Sequence, residues 1–479
     1  MEGATAARAL GAGGQSNDRY VAGSSLANDT TFRKPSTDTN FQFSAAKGNA
    51  RDLPHKVSRR KTTLTKMAAS AFDLCSTQCE QNLSCSQVLH DAILHQGSEP
   101  LRRPNSIRSA ASTIAYDMMA YYTGNQTGQE PGLLPAPYYW WEAGAMWGGM
   151  VEYWHYTGDT SYNDVVAQAI LAQASPTNDF MMLEEAGQLG NDDQVFWGLT
   201  AMTAAERSFP LPTTAKITYI ELAKGVFNDM AGPRWNTSTC NGGLQWQFNP
   251  NNAGFYYKSS IANGGFFQLA ARLARYTGNS TYSDWAEKTY DWMARIGLLD
   301  ANYYVYDGTD DTINCTGIDH DQWSYNAGTM LLGTAFLANI SSNSSIPWAV
   351  RAQGILTSAQ HIFFSPYPNA TNVAFEFMCE EASTCDTDQL SFKAYLLRWM
   401  VAATQMLPSM KKQILDLITP SAQQAASSCS GLNASVCGTK WYVGGWDGTK
   451  GLGQQMAALD TVQGLLINGT EPPLIVPGS

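Results

Sequence analysis

Charged residues are scarce in this chain of 479 residues. Lys, Arg, Asp and Glu together make up 15% of it, and the formal net charge is -11 at pH 7. A chain of this kind has no surface-wide basic field with which to attract nucleic acid. The composition therefore excludes a nucleic-acid partner and favours neutral ligands.

Long apolar runs and metal-binding motifs are also missing. No run approaches the roughly 18 uninterrupted apolar residues that a transmembrane helix needs. The 9 cysteines form no Cys-X-X-Cys pair with histidines at zinc spacing. Consecutive Asp319, His320 and Asp321 cannot easily ligate one ion, so we interpret them as a solvated loop. With no phosphate loop and no Ser/His/Asp set, the sequence predicts neither a metal nor a cofactor.

The first 103 residues lack the basic-then-apolar pattern of a signal segment. They are rich in Ser, Thr, Asn and Gly, with a basic cluster at Lys56, Arg59, Arg60 and Lys61. We interpret residues 1–103 as a disordered or misassigned extension. The globular domain is expected at 104–468. Residues 469–479 are expected to form a short tail without the apolar segment that is exchanged for a lipid anchor.

What the chain does contain points to secretion. Acceptor tripeptides for N-glycosylation are dense and occur at Asn125, Asn236, Asn279, Asn314, Asn339, Asn343, Asn369, Asn433 and Asn468, besides Asn28 and Asn82. This density indicates a glycosylated, secreted protein. The cysteines fit the same compartment. Two short loop-closing disulfides are predicted, Cys379 with Cys385 and Cys429 with Cys437; Cys240 with Cys315 is a further candidate.

From Ser106 onward the chain repeats itself. The helix closure Tyr156–Asp159 is restated almost letter for letter at Tyr276–Asn279. Helices that begin with polar or aromatic residues recur at intervals of roughly 50 to 70 residues, which suits one helix pair per unit. They are predicted to start near Trp140, Asp193, Asn263, Gln322, Asp388 and Gly453. Between them lie helices with a one-sided apolar stripe, as in Tyr282–Ile296. We therefore predict an all-α fold, an (α/α)6 barrel of six inner and six outer helices.

Two adjacent carboxylates follow the turn Gly190-Asn191. A helix begins immediately after them, because Val195, Leu199 and Met202 recur at i, i+4 and i+7. Asp192 and Asp193 therefore lie at a helix N-terminus, where the unpaired amides favour negative charge. Simple capping of the helix is the alternative interpretation of this pair.

In such a barrel the residues that begin the inner helices meet at one mouth. Two carboxylates among aromatic rings are typical of a sugar site, since glycosidic cleavage uses two acids and sugar rings stack on indoles. We predict that sugar rings stack on Trp140, Trp141, Trp323 and Trp446. The alternative for each of these residues is a place in the core. We predict that Glu142, Asn263, Gln322 and Asp447 form hydrogen bonds with sugar hydroxyls. The alternative is that they cap helices. Asp388 is expected at the same mouth, whereas Lys393 is expected to be structural.

Several motifs resemble the fungal members of glycoside hydrolase family 76, the endo-α-1,6-mannanases and related cell-wall enzymes. The resemblance covers about Ser106 to Ile467. Its motifs are the runs Ser109–Met119, Tyr138–Gly144, Gly190–Gln194, Trp285–Lys288, Gln322–Gly328 and Ser391–Tyr395. The chain departs from the family pattern at Gly265, Asp321 and Leu390.

The resemblance implies an (α/α)6 barrel and retaining chemistry on α-1,6-linked mannose, with Asp192 as nucleophile and Asp193 as acid/base. The implied substrate is fungal wall mannan or the mannose core of lipid-anchored glycoproteins. Wall glucan would be the acceptor if the enzyme transfers sugar instead of hydrolysing. A monomer is expected, outside the cell at the wall or on the outer face of the plasma membrane.

Two other interpretations stay open at this point. One is a catalytically silent, glycan-binding wall scaffold on the same fold. The other is an inverting glycosidase, whose carboxyls would lie about 6.5 to 9.5 Å apart, against about 5 to 5.5 Å in a retaining one. Adjacent residues on a regular helix point roughly 100° apart, so a shared target requires Asp192 or Asp193 to lie in the turn.

Overall fold

The computed structural model describes residues 103–182, 187, 189–341, 347–476 and 478. The extension predicted at 1–103 therefore lies outside the described residues, apart from Arg103. The described chain is mostly helical, as expected. Its α-helices are α1 Pro104–Met119, α2 Trp140–Thr157, α3 Asn163–Ala172, α4 Asn191–Glu206, α5 Tyr219–Ala231, α6 Ser260–Thr277, α7 Ser280–Ile296, α8 Ser324–Ile340, α9 Trp348–Phe363, α10 Phe392–Met406, α11 Lys411–Ser428, α12 Leu432–Ser435 and α13 Leu452–Gly464.

A small sheet, which the sequence pattern did not predict, interrupts this helical chain. Its strands are β1 Tyr257–Ser259, β2 Gly308–Asp310 and β3 Ile318–Asp319. β2 lies in the middle and pairs antiparallel with both neighbours, with Ser259 opposite Gly308 and Gly308 opposite Asp319. Strands of two or three residues carry too little alternation to be read from a sequence. Short 3-10 turns occur at Asp311–Ile313, Pro408–Met410, Trp441–Val443 and Ile467–Gly469.

Six of the helices contact one another in a closed order. α2 packs on α4, α4 on α6, α6 on α8, α8 on α10, α10 on α13, and α13 again on α2. Each of these six, taken in the same order, makes its most extensive contact outside the ring with α3, α5, α7, α9, α11 and α1. Every unit of the predicted repeat therefore supplies one helix to the ring and one to its outside.

Burial separates the two sets of helices. All 18 residues of α6 and all 13 of α13 are buried, whereas α7 buries one face that includes Tyr282, Trp292 and Met293. Ring helices approach one another closely where they lack a side chain. A Cβ on Gly265 would lie 2.5 Å from Cγ1 of Val195 on α4, so the small residues of the ring allow its tight packing.

The predicted starts of the ring helices are confirmed to within four residues. The helices begin at Trp140, Asn191, Ser260, Ser324, Phe392 and Leu452. Two of them start later than predicted, because Gln322 and Asp388 lie in the turns before α8 and α10. Each of these ring helices follows a long connection, which brings further side chains to its N-terminus.

At their C-termini the ring helices are tied together by buried ion pairs and by the last residues of the chain. Arg272 pairs with Glu206 at 2.7 Å. The N–H groups of Leu474 and Val476 donate to the carbonyls of Glu206 and Tyr276 at 2.9 and 2.7 Å. They therefore satisfy carbonyls that the ends of α4 and α6 leave unpaired. Residues 470–476, predicted as part of a tail beyond the domain, pack onto the ring.

All three predicted disulfides form: Cys240–Cys315, Cys379–Cys385 and Cys429–Cys437. The first joins residues 75 positions apart and links the loop before β1 to the turn after β2. The remaining three cysteines lie outside the described residues. Within the described part of the chain, none of the helices has both the length and the apolar character required to span a membrane.

Candidate active site

The two adjacent aspartates lie in the first turn of α4 and point to different partners. Gly190 has an extended backbone and precedes the helix. Oδ2 of Asp193 accepts a hydrogen bond from the Gly190 N–H at 2.5 Å, so Asp193 does cap the helix. Oδ2 of Asp192 instead accepts the indole N–H of Trp246 at 2.7 Å. The capping interpretation thus accounts for part of what Asp193 does and leaves Asp192 unexplained.

Asp192 is half-buried, and its Oδ1 is a buried atom with no hydrogen-bond partner among the described residues. Burial raises the pKa of Asp192, and hydrogen bonds from Trp246 and from the backbone N–H groups of Asp192 and Asp193 oppose this effect. The charge of Asp307 adds to the rise, and the pKa reaches about 7. A carboxyl at this position gains or loses its proton near neutral pH, which is typical of acids at catalytic sites.

The loop that carries Trp246 is joined to the turn before α4. The Asn191 N–H donates to the Trp246 carbonyl at 2.8 Å, and the Asn191 side-chain amide donates to the Gln245 carbonyl at 2.8 Å. A Cβ on Gly190 would lie 2.8 Å from the Trp246 carbonyl oxygen. Gly190 therefore has no space for a side chain, because the Trp246 backbone lies directly against it.

A second pair of residues, Tyr257 and Asp307, lies beside this loop. The Tyr257 hydroxyl donates to Oδ2 of Asp307 at 2.8 Å, and Asn326 donates to Oδ1 at 3.4 Å. Burial raises the pKa of Asp307, the Tyr257 hydrogen bond opposes it, and the charge of Asp319 adds to it, giving about 6. Asp307 is therefore another half-buried carboxyl with a raised pKa.

Tyr325 is the second residue of α8, and its pKa responds to several of the acids. Its ring stacks on Phe392 with centroids 3.8 Å apart. Burial raises its pKa far above the usual value, and the charges of Asp307, Asp192 and Asp388 add to this rise in that order. Carboxylates from three separate parts of the chain therefore act on one hydroxyl, as expected of side chains that lie close together in the fold.

Asp388 and Glu142 form the other acidic side of the site. Burial raises the pKa of Asp388 to about 7, with further contributions from Asp386 and Asp192, while a hydrogen bond from Trp141 opposes the rise. Glu142 is fully buried and accepts the Tyr139 N–H at 2.8 Å, which makes it a helix cap. Burial also raises the pKa of Glu142 well above its ordinary value. This part of the site is thus acidic, and its Glu142 carboxyl is shielded from solvent.

The predicted sugar platforms are placed unequally. Trp141 is 9% exposed and packs on Phe196 with centroids 4.7 Å apart, so it offers little free ring face. Trp140 donates its indole N–H to Gln173 at 2.8 Å. Trp323 is half-buried and meets Phe392 edge-on at 5.7 Å. Of these three indoles, Trp141 lies close enough to Asp388 to lower the pKa of that carboxyl.

The predicted amide partners are also placed unequally. Asn263 is fully buried. Its amide donates to the carbonyls of Leu244 and Ser259 and accepts the Leu244 N–H, at 2.8 to 2.9 Å. In this position Asn263 fixes the start of the loop that carries Trp246. Gln322 is half-buried in the turn before α8, two residues before the helix that carries Tyr325.

Trp446 and Asp447 make their contacts within their own loop. The Trp446 indole N–H donates to the Thr449 carbonyl at 2.6 Å. The Asp447 carboxylate accepts the N–H groups of Lys440 at 2.8 Å and Thr449 at 3.0 Å. Burial acts to raise the pKa of Asp447, but these hydrogen bonds outweigh it and the pKa is lowered. The described contacts of both residues hold the loop before α13, and none reaches the acid pair of α4.

The loop Asp319–Asp321 and the residue Lys393 were both predicted to have structural roles. Asp319 and Asp321 are exposed, and the His320 ring packs on Tyr306 at 4.5 Å. The described residues contain no group of three His, Cys, Asp or Glu side chains suited to hold a metal. Lys393 is buried in an ion pair with Glu380, which agrees with a structural role.

Comparison with known proteins decides the family. The family model described as Glycosyl hydrolase family 76 matches residues 106–475. Mannan endo-1,6-alpha-mannosidase DCW1 of Saccharomyces cerevisiae is 44% identical over 360 residues, which is 74% of this chain and 78% of that protein. This chain belongs to glycosyl hydrolase family 76.

Solved structures of family 76 share its fold. Dfg5 from Chaetomium thermophilum, in complex with glucosamine, has 43% identity and a TM-score of 0.75, and the match covers 79% of this chain and 94% of that one. An α-1,6-mannanase, GH76A of Salegentibacter sp. HEL1_6, has 16% identity and a TM-score of 0.59 over 75% of this chain and 98% of that one. At that low identity the likeness supports the fold alone.

Sequence reasoning on this family-76 chain missed Trp246, Tyr257, Asp307 and Tyr325. The first two lie in and just after the long connection 239–254, which is rich in Gly and Asn and has no apolar periodicity. A usable signal was present, because aromatic residues cluster at Phe255–Tyr257 immediately before a predicted ring helix. Asp307 had no signal of its own, since a short, unrecognised sheet brings it into place.

Proposed function

We propose that this chain is a retaining, endo-acting enzyme that cleaves α-1,6-mannosidic bonds at the mouth of an (α/α)6 barrel of six inner and six outer helices. The observation that carries the proposal is the acid pair on α4, in which Trp246 holds one carboxyl while the other caps the helix. The substrates we assign are fungal wall mannan or the mannose core of lipid-anchored glycoproteins. The protein would act as a monomer, outside the cell at the wall or the plasma membrane.

Asp192 is assigned as the nucleophile and Asp193 as the acid/base. Three N–H donors, the Trp246 indole and the amides of Asp192 and Asp193, favour the Asp192 anion. In the first step an Asp192 oxygen bonds to the anomeric carbon, the glycosidic bond breaks, and Asp193 gives its proton to the departing oxygen. In the second step Asp193 takes a proton from water or from a sugar hydroxyl. That oxygen then replaces Asp192 at the same carbon.

The names of the relatives support this substrate. DCW1 is described as a mannan endo-1,6-alpha-mannosidase. A variant of the Salegentibacter mannanase in which two consecutive aspartates are replaced by alanine is described as inactive and in complex with α-1,6-mannotetrose. Dfg5 from Chaetomium thermophilum is described in complex with glucosamine, which is a second sugar bound by a similar protein. A mouth lined by Asp192, Asp307 and Asp388, without a basic side chain among their main charge partners, suits neutral or amino sugars.

Azide rescue separates the roles of the two aspartates. A mannosyl substrate with a dinitrophenyl leaving group needs no acid for its departure, so Asp193→Ala should still form the mannosyl enzyme. Azide should then release an α-mannosyl azide, with configuration retained. Asp192→Ala lacks the nucleophile and should yield the β-azide through one direct displacement. The opposite pairing of variants and products would reverse the assignment.

Transfer and hydrolysis share the covalent intermediate and differ in the molecule that arrives second. We propose that a wall glucan can serve as the acceptor. The test is product analysis of an α-1,6-mannotetraose digest, with and without a glucan oligosaccharide. Mannosylated glucan is the expected product, and release of free reducing ends alone would contradict transfer. Tight binding of mannotetraose without any turnover would instead support the silent scaffold.

A further inference from the structure

Asp307 lies outside the acid pair, yet the same loop controls its position. We propose that Asp307, held by Tyr257, is a further acidic residue of the active site that supports glycosidic cleavage through a fixed negative charge and does not attack the sugar. This inference rests on the proposed function. Trp246 and Tyr257 are then positioning residues: Trp246 fixes the carboxyl of Asp192, and Tyr257 fixes that of Asp307.

The loop before β1 carries Trp246, and Tyr257, the second donor, is the first residue of β1. The Trp246 N–H donates to the Tyr257 carbonyl at 2.6 Å, and the two rings pack edge to face with centroids 6.5 Å apart. The Trp246 indole reaches Asp192 at 2.7 Å, and the Tyr257 hydroxyl reaches Asp307 at 2.8 Å. Because the two donors are tied to each other, the loop fixes the position of Asp307 relative to Asp192.

The sheet and α8 hold Asp307 from the other sides. Its carbonyl accepts the Ser260 N–H at 2.7 Å, which joins it to the start of α6. The next residue, Gly308, has no side chain, and a Cβ there would lie 2.5 Å from the Tyr257 hydroxyl oxygen. The Tyr257 ring can therefore lie flat against the strand that presents Asp307. Asn326 adds a donor from α8, and its own Oδ1 is buried without a partner among the described residues.

The groups that face these two carboxyls are acids and phenols. Asp192 is next to Asp193 and acts on Asp388, while Asp307 is faced by Asp319, Asp321 and Tyr257, and both act on Tyr325. Cleavage of a glycoside builds positive charge on the sugar ring in the transition state. A carboxylate held in place before the reaction stabilises that charge without reorganisation. Asp307 can do this from a fixed position while Asp192 forms the bond.

The pH dependence of kcat/KM on α-1,6-mannotetraose tests the proposal. For Asp307→Asn we expect kcat to fall on the order of tenfold or more. The acid limb should also move to lower pH, because a charge that disfavours the Asp192 anion is gone. For Trp246→Phe the acid limb should move to higher pH, because a donor to that anion is lost. Damage to the fold alone gives no reason for two opposite movements.

Two further variants complete the test. Asp310→Asn removes the same charge from an exposed residue of β2 and should keep the wild-type kcat and pH profile. Tyr257→Phe should reproduce part of the fall in kcat expected for Asp307→Asn. Circular dichroism should show that the Tyr257→Phe protein is folded. A wild-type kcat and an unmoved acid limb in Asp307→Asn would overturn the inference while leaving the proposed function intact. Absence of mannotetraose cleavage by the wild-type protein would overturn both.

Discussion

The indole N–H of Trp246 donates to Oδ2 of Asp192 at 2.7 Å, across 54 positions of sequence. Trp246 belongs to the loop before α6, whereas Asp192 belongs to α4, so the site is assembled between neighbouring ring helices. Asn263 ties the start of that loop to α6 through two hydrogen bonds with Leu244. A change in the loop should therefore alter the acid pair without unfolding the ring.

We expect Asp192→Asn and Asp193→Asn each to lower turnover of an α-1,6-mannan by at least about a thousandfold. Both side chains are half-buried at the start of α4, and Asn also caps helices, so the fold should persist. Reducing-sugar release measures the loss, and circular dichroism checks the fold. Glu221→Gln on outer helix α5 is the control and should keep full activity. Turnover like that of the wild type in either Asp variant would remove the catalytic assignment.

Activity should fall on the acid side of neutrality. The nucleophile must be ionised, and the pKa of Asp192 lies near 7. Below that pH the ionised fraction declines, so kcat/KM should drop by about tenfold for each further pH unit. A pH profile of kcat/KM measures this limb. Constant kcat/KM from pH 7 down to pH 5 would contradict the predicted ionisation of Asp192.

Gly190→Ala should impair the site more than the fold. The added Cβ would meet Oδ1 of Asp192 and lie 2.8 Å from the Trp246 carbonyl, which pushes apart the loop and the acid it holds. We expect kcat/KM to fall on the order of a hundredfold, the size seen for small misplacement of reacting groups. Gly187→Ala is a matched control, because nothing lies within 4 Å of its added Cβ. Equal activity in both variants would refute the close-approach argument.

Part of the fold was readable from the sequence, for identifiable reasons. The starts of the ring helices were predicted because repeats such as Tyr156–Asp159 and Tyr276–Asn279 mark the helix ends. Asp192 and Asp193 were found because a Gly-Asn turn and a periodic run flank them. Asp307 was missed, since its position depends on three short strands and on a hydrogen bond from Tyr257. Long-range pairing of that kind leaves no local periodicity.

The predicted binding residues show the same limit. Asn263 and Asp447 are polar residues near helix starts, a pattern that suits a ligand contact and a structural hydrogen bond equally well. In the structure both hold backbone groups of nearby loops. Sequence position places such residues near the mouth, but only the local backbone determines whether their polar atoms are already used.

Glu376 should make stability depend on pH. It is buried and accepts the Ser324 N–H at 3.0 Å at the start of α8; burial raises its pKa to about 8, against hydrogen bonds from Ser324. A raised pKa means that the folded state keeps a proton that the unfolded state releases. The contribution of protonated Glu376 to the stability of the folded state is complete below about pH 4.5 and is lost as the pH rises through about 8.

The variant Glu376→Gln removes this titration and keeps an acceptor for Ser324. Its melting temperature should therefore fall less than that of the wild type between pH 5 and pH 8, as measured by calorimetry. Glu381→Gln, at an exposed position of the same segment, is the control and should follow the wild type. Parallel melting curves for the wild type and Glu376→Gln over that range would contradict the prediction.

Removing residues 470–479 should destabilise the C-terminal end of the ring. The deletion takes away the N–H groups that Leu474 and Val476 donate to Glu206 and Tyr276, and each lost bond costs about 1 kcal/mol. It also strips the carbonyl partners of Arg275 at Pro473 and Leu474. We expect a lower urea midpoint for the truncated chain than for the full chain. An unchanged midpoint would show that this segment contributes nothing to the ring.

The most direct test of the central claim is the anomeric configuration of the first product. Proton NMR of α-1,6-mannotetraose with the wild-type protein reports the new reducing end before it mutarotates. Attack by Asp192, followed by water or a sugar hydroxyl at the same carbon, predicts that the α-anomer appears first. First appearance of the β-anomer would show a single displacement and would contradict the assignment of Asp192 as nucleophile.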